Sequence, residues 1–505
     1  MLATPRRRVR ALLLTAASAA LVAATLPGPR ALGIGDRLYP LLGNPGYDVL
    51  SYDIALAYPG ANDRPMEAVT TVDARTTRRL DRVNLDFTHG TVRSVEVNGA
   101  PAPFATAEED LVIEPDRALA RGSRLRITVA HTSDPRGPAG AGGWVRTRDG
   151  LVMANQADAA HRVFPCNDHP SDKAYLTFRV TAPESVTVVA GGRRTGLVRE
   201  EDGARTWTYR SAHPMATELA QVAIGDLTVV ERKGPHGLPV RDVVPAADRE
   251  ALEPRLAGTP DQIGWMERRV GRYPFETYGV LVADTRTGFE LETQTLSLFE
   301  RSLLTDEALP SWYVDSIMVH ELAHQWFGNS VTPRTWSDLW LSEGHATWYE
   351  ALYAEEHGGP SLTERMRRAY RLSDGWRAAG GPPARPDPPA PGRQLGIFRP
   401  VVYDGSALVL YALRQTVGAA AFERLERAWL SVHRDATADS ADFAHLASRV
   451  TGRDLDAFFD RWLHAPRTPP MPGHPDWRSD APGQAPSAAR DRAALLRGAA
   501  PGNSG

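Results

Sequence analysis

Residues 320–350 read HELAHQWFGNSVTPRTWSDLWLSEGHATWYE. His320 and His324 are four positions apart, and on a helix such positions stand one above the other. Both imidazoles can then reach one cation, and Glu321, one residue on, faces the same cleft. Zinc takes nitrogen and oxygen ligands in a tetrahedron, and a catalytic site keeps one corner for water. The cation makes that water more acidic, and a neighbouring carboxylate can take the proton. Glu321 is placed for that task. Glu343, with eighteen residues between it and His324, lies among Trp336, Leu339, Trp340 and Leu341. A carboxylate entering such an apolar interior needs a charged partner, and a metal supplies one. The stretch predicts a helix from Ser311 to Phe327, closing at Gly328-Asn329, and a second from Asp338 to His357, ended by Gly358-Gly359-Pro360. One zinc ion is expected on His320, His324 and Glu343. Asp338 is read as an N-cap, the four aromatics Trp326, Phe327, Trp336 and Trp340 as core, and His345 and His357 as non-ligands.

Working outward, helical periodicity holds from about Pro239 and is interrupted by one strand-like stretch from Tyr278 to Leu298. Further helices are expected at about 404–417 and 419–433, with a last one ending near Trp462. The segment GGPPARPDPPAPG marks an exposed loop at 380–392. Upstream, from about Asp36, short alternating runs are broken by Gly, Pro, Asp and Asn. Examples are Ser51 to Tyr58, Arg124 to His131, Ala174 to Val180, Val186 to Ala190 and Ala220 to Val230. Period-two alternation predicts a mainly antiparallel β domain, with Asn98-Gly99 and Asp202-Gly203 as hairpin turns. The expected division is a β domain at 36–238, a zinc domain at 239–465 and a disordered tail at 466–505, poor in large apolar residues.

The 505 residues carry a formal net charge of −3, which gives no reason to expect nucleic acid or an acidic membrane as partner. Cys166 is the one cysteine, so no intrachain disulfide and no cysteine metal cluster can form. Arg6, Arg7, Arg8 and Arg10 precede an apolar run from Ala11 to Leu26 and then Pro27-Gly28-Pro29. That order matches a secretory signal peptide, placed at residues 1–30, and the apolar run is shorter than the roughly 20 residues of a spanning helix. A secreted protein with no membrane association in its mature form is expected; the alternative is an uncleaved anchor.

The run from His320 to Glu350 resembles the zinc segment of the aminopeptidase N family of zinc metallopeptidases, a gluzincin group that includes the leukotriene hydrolases. Other pieces agree in order: residues 33–53, the start of the family's β domain; HRVFPCNDHPSDKA at 161–174; GFELETQ at 288–294, where the family has glycine-x-methionine-glutamate-asparagine; and VYDGSALVLYALR at 402–414, where it has tyrosine-x-lysine-glycine-alanine. The resemblance spans about 36–465. It implies an all-β (antiparallel) N-terminal domain followed by a mainly α, thermolysin-like catalytic domain, and removal of N-terminal residues from peptides. Glu292 matches the glutamate that binds the substrate's free α-amine, Tyr403 the tyrosine that stabilises the tetrahedral intermediate, and Gln156 a glutamine lining the first-residue pocket, where Asn155 or Asp158 could serve instead. Phe289 and Thr293 replace the family's glycine and asparagine, and Gly405 and Ser406 its lysine and glycine. Larger members continue into a helical domain that roofs the cleft; a shorter form with a more open site is expected. Rival readings are an endopeptidase or epoxide hydrolase on the same zinc, and a catalytically silent binding protein.

Overall fold

The structure, a computed structural model, describes residues 28–137, 142–200 and 203–480. Nearly all of the expected leader, Asp202 of one expected turn, and residues 481–505 of the expected tail lie outside them. The chain divides into two compact units, one reaching Asp36 and running on over Pro40–Thr228, the other made of Arg37–Tyr39 and the chain from Val229 onward.

In the first unit, alternation becomes sheet. Tyr47–Ala57 and Met66–Thr76 bury every second side chain for most of their length and pair in antiparallel register. They sit within an eight-stranded sheet ordered Arg193–Arg199, Ala204–Arg210, Tyr175–Pro183, Tyr47–Ala57, Met66–Thr76, Arg124–Ser133, Val92–Val97 and Ala100–Pro101. One pair departs from the antiparallel expectation: Tyr47–Ala57 runs parallel to Tyr175–Pro183, with Ser51 opposite Tyr175. Asn98 and Gly99 both take positive φ (53° and 83°) and join two antiparallel strands, as a tight hairpin turn requires. Smaller sheets of four and three strands complete the unit.

The second unit begins ten residues earlier than expected because Ala220 to Val230 is two strands, not one. Val222–Gly225 stays in the first unit, whereas Leu227–Lys233 pairs with Pro239–Pro245, and that sheet continues through Val280–Ala283 and Ser297–Glu300. The expected strand-like stretch from Tyr278 to Leu298 is thus two parallel strands with an irregular segment between them. Ten helices are described: α1 (Arg249–Leu256), α2 (Thr259–Val270), α3 (Arg301–Thr305), α4 (Ser311–Ala323), α5 (Trp340–Glu356), α6 (Leu362–Gly380), α7 (Asp404–Val417), α8 (Ala419–Val432), α9 (Ser440–Thr451) and α10 (Asp456–His464). Trp340, Trp348, Phe327, Trp429 and Phe443 are fully buried, so these aromatics are core. Among the described residues, no helix is long and apolar enough to cross a membrane.

Two expectations need correcting. The loop at 380–392 is irregular, but Pro383, Ala384 and Pro386 are buried rather than exposed. Residues 466–480, assigned to the disordered tail, are ordered and packed on α6 and α7. Met471 and Trp477 are buried, Tyr411 Oη and His474 Nε2 stand 2.9 Å apart, and Trp477 stacks on His474 with ring centres 4.3 Å apart. A few large apolar side chains suffice where each finds a prepared aromatic surface. Trp477→Ala is expected to destabilise the protein by about 3 kcal/mol, as for other buried tryptophans. Chemical denaturation measures this, and an unchanged midpoint would show that the segment is not anchored.

Candidate metal centre

Helix α4 is buried along its whole second half, from Ser316 to Ala323. It therefore carries apolar residues on every side, and its polar side chains must be satisfied by protein or ligand. His320 and His324 lie one turn apart with ring centres 4.8 Å from each other. Helix α5 delivers Glu343, whose Oε2 stands 3.3 Å from His320 Nε2 and 3.5 Å from His324 Nε2. All three residues are buried, and their ligand atoms lie within 4.8 Å of one another.

The outward-facing ring nitrogens are also fixed. His320 Nδ1 donates to Glu350 Oε2 at 2.9 Å. His324 Nδ1 lies 2.9 Å from Ser342 Oγ and 3.1 Å from the Phe327 carbonyl. With their protons on Nδ1, both rings present an Nε2 lone pair to the same point. Glu350 accepts in turn from Arg365 Nη1 at 2.8 Å, and Arg365 Nε donates to Asp404 at 2.8 Å, beside Tyr403. Glu350, Arg365 and Ser342 were not anticipated. One signal was present: Glu350 lies seven residues after Glu343, on the same face of α5. Arg365 offered none, since it belongs to the next helix.

Electrostatics reflect a crowd of buried carboxylates. Burial pushes the Glu321 carboxyl up to about 8, with Glu292 and Glu290 adding to the effect and His320 and His324 opposing it. Burial also resists a charge on His320, yet Glu343 and Glu350 lift that imidazole to about 10. Despite burial, His324 and His320 bring Glu343 down to about 2. The carboxylates recruit positive charge.

Glu292 leaves the backbone bridge between Leu291 and Leu298 and is buried rather than facing water. Its carboxylate, that of Glu321 and a ring nitrogen of His324 lie within 4.8 Å of one another. Tyr403 is half-buried at the start of α7, its ring centre 6.1 Å from that of His320. Gln156 follows strand Gly150–Ala154 in the first unit and is half-buried, while Asn155 beside it is fully buried and donates to the Ala220 carbonyl. Within the second unit, the structure therefore brings together six of the expected residues.

Asp338 is neither cap nor ligand support: it accepts from the Ser440 main chain and hydroxyl and so holds the start of α9. His345 packs flat on Phe327, with ring centres 4.4 Å apart, and donates to the Leu341 carbonyl. Close approach of α5 and α7 depends on Gly344, where an added Cβ would stand 2.7 Å from the Ser406 Cβ.

Comparison with known proteins adds a family to this geometry. The peptidase family M1 domain model matches residues 256–462, and the peptidase M1 N-terminal domain model matches 146–219. Aminopeptidase N of Streptomyces lividans is 25% identical over 436 residues, covering 82% of this chain and 50% of that protein. Leucine aminopeptidase 2 of Aspergillus fumigatus is 25% identical over 442 residues, 78% of this chain and 66% of that one. The chain spans between about a third and two thirds of the length of the curated relatives it matches. A solved M1 zinc metallopeptidase mutant from Deinococcus radiodurans, bound to a Tyr-Ser-Ala substrate, superposes with a TM-score of 0.76 at 27% identity, over 88% of this chain and 100% of that one. Two domain models in sequence order, a two-unit structural counterpart and a buried histidine–glutamate cluster agree: the chain belongs to the peptidase M1 family.

Proposed function

We propose that the protein is a zinc-dependent aminopeptidase that hydrolyses N-terminal residues from peptides. The observation that carries this reading is the convergence of His320, His324 and Glu343 on one point, with the carboxylates of Glu321 and Glu292 beside it.

The residues fit one zinc ion. Tetrahedral coordination at zinc–nitrogen lengths of 2.0–2.1 Å sets ligand atoms roughly 3.3 Å apart, and the two histidine–glutamate separations are 3.3 and 3.5 Å. Glu292, Glu321, Glu343 and Glu350 are all buried, and Arg365 is the cation that bonds Glu350. A divalent ion would balance a charge that the protein otherwise meets by protonating histidine. When bound, zinc supplies Lewis acidity and a more acidic water.

Every other task falls to side chains. Glu321 takes a proton from the attacking water and returns it to the departing amine nitrogen. Tyr403 donates a hydrogen bond to the oxygen that becomes negative as the carbonyl turns tetrahedral. Glu292 receives the α-ammonium through a charge-assisted contact, which restricts attack to the first peptide bond. Peptides with a free N-terminus are the proposed substrates.

Hydrolysis of aminoacyl arylamides should exceed that of their N-acetylated forms and stop with a chelator; turnover of acetylated substrates alone would remove Glu292 from its role. Glu321→Gln is expected to retain metal and lose activity, so a fully active variant would contradict the base assignment. Glu350→Gln should weaken zinc affinity by about 10–100-fold through loss of the His320 partner, measured by competition with a chromogenic chelator; unchanged affinity would sink that link. The proposal also places the protein outside the cytoplasm, on the basic and then apolar segment at residues 6–26. N-terminal sequencing of protein recovered from the medium checks it, and an N-terminus at Met1 would argue for an uncleaved segment.

A further inference from the structure

Glu292 stands at the point where regular pairing ends. Leu291 and Leu298 exchange two main-chain hydrogen bonds of 2.8 Å, and between them the chain makes a turn closed by Leu296 N on the Thr293 carbonyl. Inside that turn Thr295 is held at φ 68°, a left-handed conformation that a β-branched residue adopts only under constraint. Sheet pairing therefore does not fix the direction in which Glu292 leaves the strand.

The constraint comes from the segment that follows the two histidines. Gln325 Nε2 donates to the Glu292 carbonyl at 3.1 Å, and Asn329 Nδ2 donates to the same oxygen at 2.6 Å. Gln325 Oε1 accepts from the strained Thr295 main chain at 2.9 Å and from the Tyr273 hydroxyl at 3.3 Å. Both carboxamides are fully buried. The segment is itself tied to a histidine of the centre, since Asn329 N donates to the His324 carbonyl at 2.9 Å. Gln325 is the neighbour of His324 in sequence. One six-residue stretch, 324–329, thus holds a proposed ligand at one end and grips the Glu292 peptide with two side chains.

We propose that Gln325 and Asn329 are positioning residues for the amine-binding carboxylate: by clamping the Glu292 carbonyl they set its side chain at a fixed distance from His324 and Glu321, and so give the site its demand for a free α-amine. This rests on the aminopeptidase reading. A loosened clamp leaves ligands and base in place but lets the carboxylate drift, so it weakens binding of the amine specifically.

The test compares two inhibitors on the zinc-loaded full chain: leucine hydroxamate and its des-amino counterpart, 4-methylpentanohydroxamate. Both carry the metal-binding group, and only the first carries the amine. Titration calorimetry gives the affinity ratio for the parent, Gln325→Met and Asn329→Ser, with zinc content measured alongside. In the variants the ratio should fall by about tenfold, the size of one lost buried hydrogen bond, while the des-amino compound binds as before and zinc content holds. Variants that keep the parental ratio overturn the proposal. So do variants that lose affinity for both compounds together, because that marks a disordered centre rather than a displaced carboxylate. If Gln325→Met fails to fold, Asn329→Ser, which removes one donor only, decides alone. A parental ratio near one would instead refute the aminopeptidase reading.

Discussion

Glu292, Glu321, Glu343 and Glu350 are buried in one helical unit, and ionised carboxylates out of water repel one another and lose their hydration. That constraint orders the rest of the site. Arg365 answers Glu350 and Asp404 on one side, and the two imidazoles answer Glu343 on the other. What remains is an excess of negative charge focused between two Nε2 atoms, and a doubly charged cation relieves it more fully than a protonated ring. Burial, with a smaller push from the neighbouring Glu292 and Glu290, drives Glu321 towards its neutral form when no cation balances it. A carboxylate keeps its charge out of water only close to a positive one, and Glu321 stands beside the two imidazoles.

Holding such a cluster needs helices that cannot slide. Helix α4 contributes His320 and, at its C-cap, His324, and α5 contributes Glu343, Glu350 and Ser342. The α5 contacts run through Gly344, which meets Ser406 of α7, and through His345, which stacks on Phe327 just after α4. His345 is then tied to Glu426 of α8, whose other oxygen accepts from Tyr349. The polar groups of the core thus form chains running outward from the centre, and each link locks a rotamer of the link before it.

Legibility in the sequence followed the range of each interaction. The two histidines, Glu321 and Glu343 were readable because helical spacing and a short connection bring them together, and α4 and α5 fell within a few residues of their expected bounds. Glu292 and Tyr403 were named through resemblance alone, since no local pattern distinguishes a buried carboxylate in an irregular segment from a surface one. Arg365 escaped because its partners come from α5 and α7, so only the folded chain makes the triad. The order of residues 466–480 is hidden from composition for a related reason: the segment is poor in apolar residues, and the aromatic surface that receives Trp477 is built from Tyr411 and Tyr370, on other helices.

The altered motif around Glu292 has a physical explanation in the same terms. Phe289 and Thr293 stand where the family has glycine and asparagine, yet the carboxylate still reaches the centre. Its two buried donors grip the main-chain carbonyl of Glu292, which every residue possesses, and not the side chains on either side. Thr293 turns its hydroxyl to the Leu296 carbonyl and so closes the turn that an amide side chain could otherwise brace. Thr295 pays a conformational cost that Gln325 offsets with an acceptor. A site anchored through backbone atoms tolerates changes in the motif that flanks its key residue, provided that the anchoring carboxamides are kept, and here they lie in the histidine segment itself.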